Sequence, residues 1–211
     1  MTDPPALDSL ARRALGLLEP SHGARVVLGI AGSPGAGKTT LARTLVARLN
    51  DTAPGTAVHL PMDGFHLANA TLDRLGRHDR KGAIDTFDAH GFVALLRRLA
   101  TEREHTVFAP SFDRAVDEGV TGAIAIDPSV RIVVTEGNYL LVDRHPWSEI
   151  PRIAAEVWFC DTPSPERMRR LVDRHERHGR SPHDARLWAE TVDAANALIV
   201  ERSAARAALR V

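Results

Sequence analysis

The chain has 211 residues, with 27 basic and 27 acidic side chains and a formal net charge of zero. That balance argues against a general nucleic-acid binder, which needs excess positive charge to displace counterions. Hydrophobic residues make up 44% and charged residues 26%, which excludes wholesale disorder, and the length suggests one domain over 1–211. No run of 18 apolar residues is present, so no transmembrane helix is expected.

Met1 to Leu10 carry acidic residues and prolines where a signal peptide would have positive charge and an apolar run. A single cysteine, Cys160, forms no internal disulfide. Together these predict a cytoplasmic protein. Only Lys38 and Lys81 are lysines. Arginine therefore says little about function here, and the two lysines say more.

In chain order, apolar residues at helical spacing (Leu7, Leu10, Ala14, Leu17, Leu18) predict an N-terminal helix over 5–18, with linker to 24. Arg25 to Ala31 reads as a strand and Lys38 to Leu49 as a helix, with Leu41, Leu45 and Leu49 at i, i+4 and i+8. Thr56 to Met62 reads as a second strand, Leu67 to Leu75 as a short helix and Gly76 to Thr86 as a basic loop. Asp88 opens a helix to about Ala100. Thr106–Ala109 and Ala123–Ile126 are weak strands around a turn-rich segment. Arg131–Thr135 and Ala155–Cys160 are strong strands, and helices over about 163–178 and 183–201 close the chain. Strands alternating with helices predict an α/β fold: a mostly parallel central sheet with helices on both faces. Ligands bind such sheets at the carboxyl ends of the strands, where Gly32, Asp63 and Glu136 fall.

Gly32-Ser33-Pro34-Gly35-Ala36-Gly37-Lys38-Thr39 fits G-x-x-x-x-G-K-[ST] in full. At this composition a chance match occurs on the order of once per thousand such chains. Here the motif also stands between a strand and a helix. The glycines let successive N–H groups face phosphate oxygens, and the helix adds its positive dipole end. Lys38 is expected to reach the β- and γ-phosphates, Thr39 to ligate Mg²⁺, and Thr40 to complete the ATP-binding set. No Asn-Lys-x-Asp guanine motif is present, and Asp73-x-x-Gly76 follows a helical pattern rather than a buried strand. A small phosphotransferase remains the most natural reading, with a nucleotide-binding regulatory or assembly protein as the alternative.

Asp63, at the end of the second strand, can accept a proton from an attacking hydroxyl. An Asp-Gly turn is an equally good account of that residue from spacing alone.

The ordered set Gly32–Thr39, Met62-Asp63-Gly64-Phe65-His66, Arg80 to Asp88, Phe112-Asp113-Arg114 and Glu136 to Leu141 resembles the uridine kinase, phosphoribulokinase and bacterial pantothenate kinase superfamily. The likeness covers about residues 25–200 and is strongest to its short nucleoside-kinase-like branch, which includes fructose- and sugar-kinase-like proteins. It implies the P-loop NTPase fold, ATP with Mg²⁺, and transfer of the γ-phosphate to a hydroxyl of a small metabolite. It also implies that Asp63 is the catalytic base and that Glu136 helps hold Mg²⁺ or acceptor. Asp113 and Arg114 would line the acceptor pocket. His66 and Lys81 are further acceptor candidates, His66 against a packing role beside Phe65 and Lys81 against a loop cap. No nucleic-acid or membrane partner is implied, and such kinases are often homodimers. Uridine kinases carry Ser-Phe-Tyr after the aspartate where this chain has Gly-Phe-His. Pantothenate kinases share Asp-Gly-Phe but are longer. The acceptor stays open among sugars, nucleosides, pantothenate-like compounds and vitamins.

Residues 166–180 are dense in arginine. Charge runs are usually solvated faces, but arginines also stabilise charge on a transferring phosphoryl group. The resemblance makes about 163–182 a helical lid, with Arg174 in the place of the superfamily lid arginine and Arg170 and Arg177 on the same face. It puts Asn196 where relatives approach the adenine.

Overall fold

The computed structural model describes residues 4–211, with side chains from residue 7 onward. In chain order the elements are α1 (Pro4–Gly16), β1 (Val26–Ala31), α2 (Lys38–Thr52), β2 (Ala57–Pro61), α3 (Asn69–Leu75), α4 (Ala89–Thr101), β3 (Val107–Asp113), β4 (Glu118–Ile126), β5 (Ile132–Gly137), α5 (Ile150–Ile153), β6 (Glu156–Phe159), α6 (Ser164–Arg177), α7 (Pro182–Trp188), α8 (Ala194–Glu201) and β7 (Leu209–Arg210). Short 3₁₀ turns come after β2 (Met62–Phe65) and interrupt the basic loop (His78–Arg80).

The main sheet has the order β2-β5-β1-β6-β7, and every pairing is parallel. β1 and β5 are buried along their whole length, which is why both read as unbroken apolar runs rather than alternating ones. Leu28, Ile30, Ile132 and Val134 face one core, closed by Leu10 and Ala14 of α1 and Leu41, Leu45 and Leu49 of α2. Val27 and Val133 face the other, closed by Phe92, Leu96 and Leu99 of α4 together with Trp147. The Asp88 carboxylate caps α4 by accepting from Gly91 N at 2.8 Å. A buried guanidinium, Arg25, ties the far end of α4 down by donating to the carbonyls of Leu99, Glu102, Asp127 and Val130.

Three features differ from the sequence expectation. β3 and β4 are much longer than the predicted pieces and form an antiparallel hairpin in which Val107 faces Ile126 and Asp113 faces Glu118. β4 is exposed over most of its length, so it carries none of the apolar alternation that marks a half-buried strand. β7 is two residues long, too short for any periodicity. The last predicted helix contains a π turn at Ala189–Asp193. A π turn adds about one residue, which rotates the rest of the helix by roughly 100° around the axis.

Candidate active site

The carboxyl ends of β1, β2 and β5 open into one cleft of about 560 Å³. β1 leads into the glycine loop. Gly35 (φ 77°) and Gly37 (φ 92°) adopt the left-handed conformation that suits glycine, and a Cβ on Gly35 would stand 2.7 Å from the Arg167 carbonyl. Lys38, the first residue of α2, is buried and donates from Nζ to Ser33 O at 3.0 Å. Burial lowers its pKa, opposed by the charges of Glu136 and Asp63. Ser33 Oγ is buried in the same loop without a hydrogen-bond partner among the described residues. A desolvated ammonium and an orphaned hydroxyl beside left-handed glycines fit a phosphate chain. Thr40 lies on the exposed side of α2, outside the cleft lining.

Thr39 Oγ1 donates to Glu136 Oε1 at 2.9 Å. The hydroxyl proton is thereby turned to β5, and its lone pairs are left for a cation. A hydroxyl and a carboxylate are hard oxygen donors, the chemistry Mg²⁺ prefers. Burial disfavours a charged Glu136, yet His59, Lys38 and Thr39 together hold its pKa below the usual carboxylate range.

On the acceptor side, Asp63 sits in the 3₁₀ turn after β2. Arg114, at the tip of the β3–β4 hairpin, approaches it with Nη2 at 3.6 Å from Oδ2. Gly64 fixes this turn on the hairpin, since a Cβ there would lie 2.5 Å from Pro110 O. His66 stacks on Phe87 with ring centroids 4.0 Å apart and meets the edge of Phe112 at 4.9 Å. Burial pushes its pKa down to about 4. Its Nδ1 is buried and unpartnered among the described residues, a position cheaper for a bare lone pair than for an N–H with no acceptor. On that ground the neutral ring presents Nε2–H. His66 thus packs between the rings of Phe87 and Phe112 and also lines the cleft.

Lys81 lines the cleft, but its Nζ is spent on Asn69 Oδ1 at 2.6 Å and Asp117 Oδ2 at 2.8 Å, above the Phe112 ring. It clamps the basic loop to the hairpin. Asp113 corrects the expectation made for it. Its Oδ1 accepts from Ala115 N at 2.8 Å and Val116 N at 3.4 Å, so it closes the hairpin turn and does not line the cleft. Asn196 lines the cleft. It is buried and donates from Nδ2 to Gly82 O at 3.2 Å, an oxygen shared with Tyr139 OH at 2.6 Å. The π turn Ala189–Asp193 directly precedes α8, the helix that carries Asn196.

The arginines of residues 166–180 separate. Arg170 pairs with Glu166 and reaches the Gly35 carbonyl at 3.5 Å. Arg174 lines the cleft with no hydrogen bond or ion pair from its side chain among the described residues. Burial lowers its pKa, and Asp193 and Asp63 oppose that. Arg177 corrects the shared-face expectation: it is exposed and donates back to Asp173 O. Three groups escaped sequence reasoning. His175 pairs with Asp193 of the π turn at 2.7 Å, joining α6 to the last helix. Arg180 stacks on Trp188 at 3.8 Å. His59 lies 3.5 Å from Glu136 Oε1, and its only sequence signal is a polar residue inside an apolar strand.

A family model described as "Phosphoribulokinase / Uridine kinase family" matches residues 27–152. The chain belongs to this family. It is 40% identical over 152 residues to the "Putative uridine kinase C227.14" of Schizosaccharomyces pombe, a stretch covering 70% of this chain and 64% of that protein. The chain thus spans less than two thirds of that relative. It is 32% identical over 172 residues to the "Uncharacterized protein YggC" of Escherichia coli, covering 81% of this chain and 68% of the other. Among solved structures, the "putative fructose transport system kinase" of Silicibacter sp. TM1040 superposes with a TM-score of 0.89 at 36% identity, over 100% of this chain and 99% of that one. The fold is also shared with YFH7 of Saccharomyces cerevisiae, at a TM-score of 0.83 and 20% identity over 93% and 95% of the two chains. The α/β fold, with its parallel sheet and flanking helices, is that of this family's solved structures. No helix among the described residues is long and apolar enough to cross a membrane.

Proposed function

We propose that this chain is an ATP-dependent kinase, one domain over 1–211, that transfers the γ-phosphate to a hydroxyl of a small metabolite in the cytoplasm. One observation carries the reading: Lys38, Thr39, Glu136, Asp63 and Arg174 reach a single cleft from four different elements. Lys38 and the loop N–H groups would hold the triphosphate, and Thr39 and Glu136 would hold Mg²⁺. When bound, Mg²⁺ neutralises phosphate charge. Asp63 would take the proton of the acceptor hydroxyl, with Arg114 holding the carboxylate until the acceptor enters. His66 Nε2–H would donate to an acceptor oxygen, and Arg174 would meet the charge that develops on the transferring group.

The test is ADP release from the full chain with Mg²⁺ and ATP against a panel of sugars, nucleosides, pantothenate-like compounds and vitamins. Turnover that rises well above the ATP-alone rate with one class supports the kinase. ATP binding with no acceptor-dependent rise across the panel favours a regulatory nucleotide binder.

A further inference from the structure

A cation site formed by Thr39 and Glu136 leaves His59 unused, and the role inferred for His59 rests on that reading of the site. Its Nε2 is buried, has no partner at ordinary hydrogen-bond geometry among the described residues, and stands 3.5 Å from Glu136 Oε1, close enough to interact with its charge. The register of β2 on β5 pairs His59 with Val134 and Pro61 with Glu136. His59 and Glu136 are therefore diagonal neighbours on the sheet face that α2 covers, the face Val134 shares. Unlike His66 Nδ1, this nitrogen faces a carboxylate oxygen, which favours the tautomer with the proton on Nε2, and a buried N–H left without an acceptor costs about 1–3 kcal/mol. Here it stands one small side-chain shift from a carboxylate.

Glu136 Oε1 also accepts from Thr39 Oγ1. A carboxylate held at one oxygen from one side can pivot, whereas a second donor on that oxygen fixes its plane. We propose that His59 is a positioning residue for the cation site: its Nε2–H braces Glu136 Oε1 against Thr39, so that Oε2 stays turned to the cleft that Glu136 lines. His59 itself is absent from the cleft lining. It acts through Glu136 and touches neither cation nor phosphate. Outer partners that orient a metal ligand act in this way.

The experiment measures binding of a non-hydrolysable ATP analogue to the full chain by calorimetry, with saturating Mg²⁺ and with a chelator. It compares the native chain, His59→Leu and His59→Gln. The native chain should bind more tightly with Mg²⁺. His59→Leu should lose about 10-fold or more of that Mg²⁺-dependent gain while binding without metal stays within about two-fold, and His59→Gln, which keeps an N–H donor, should recover most of it. Where His59→Leu does not fold, His59→Asn, too short to reach Oε1, should show the same loss. An unchanged Mg²⁺-dependent gain in the leucine or asparagine variant overturns the proposal. So does an equal loss with and without metal, or a glutamine variant no better than leucine. If the native chain gains nothing from Mg²⁺, the cation-site reading itself fails, a result distinct from all of these.

Discussion

Arg114 Nη2 stands 3.6 Å from Asp63 Oδ2, so the carboxylate at the end of β2 faces a guanidinium carried on the β3–β4 hairpin. Both groups are partly exposed, and such a pair adds little stability. Its consequence is positional: Arg114 stands beside one oxygen of the carboxylate proposed to take the acceptor's proton. Asp63→Asn is expected to leave ATP affinity within a few-fold and to cut turnover by about 10²-fold or more, the scale of general-base loss. Steady-state kinetics with calorimetry of ATP binding separates the two effects, and unchanged turnover would make Asp63 a turn residue only.

Lys38 places a desolvated ammonium inside the glycine loop. Lys38→Ala should abolish transfer, by about 10²-fold or more in kcat, and weaken ATP binding, because a preorganised charge at the phosphates is lost. A folded variant with full activity would sink the nucleotide assignment.

Arg174 should stabilise the transferring phosphoryl group more than bound ATP. Arg174→Ala is expected to lower kcat far more than it raises the KM for ATP, and Arg174→Lys to restore only part, since a point charge lacks the guanidinium fork. Hydrogen exchange over residues 165–182 should show added protection with an ATP analogue. Equal protection in both states together with normal turnover would reduce these arginines to a solvated face.

His66 stays neutral in the folded chain down to about pH 4, against an ordinary value of 6.5. In that window the unfolded chain binds the extra proton. The stabilising contribution is therefore complete above pH 6.5 and is lost as pH falls towards 4, at up to about 1.4 kcal/mol per pH unit. Chemical denaturation at stepped pH should show this acid slope in the native chain and a shallower one in His66→Gln. Identical slopes would mean that His66 is not held neutral by burial.

Gly64 lets the Asp63 turn lie against the hairpin, where a methyl group would come within 2.5 Å of Pro110 O. Gly64→Ala should destabilise the fold by about 1–3 kcal/mol, the usual cost of overpacking. It should also impair acceptor use more than ATP binding, because β1 and its loop are untouched. Thermal melts and the two KM values check this, and a variant with native melting and native acceptor KM would refute the close packing.

The glycine loop, the strand-end acids and the order of strands and helices were legible in the sequence because each rests on a local signal. Gly32–Thr39 is a contiguous motif. Arg25–Ala31 and Arg131–Thr135 read as strands because both faces of Val26–Ala31 and Ile132–Gly137 are covered. Asp88 marks its helix start by its own cap. Which charged groups remain free to meet a substrate was decided by tertiary structure alone. Lys81 and Asp113 look as available in sequence as Arg114 and Arg174. The fold gives Lys81 to Asp117 and Asn69, gives Asp113 to two backbone N–H groups, and leaves Arg174 facing the cleft. Those pairings join residues whose proximity depends on an exposed hairpin with no alternation. The π turn ahead of Asn196 leaves no mark in the periodicity, and His59 acquires meaning only from the strand register that sets it beside Glu136. Motif and burial pattern are encoded along the chain, whereas the partner of a polar side chain depends on which segments the sheet brings side by side.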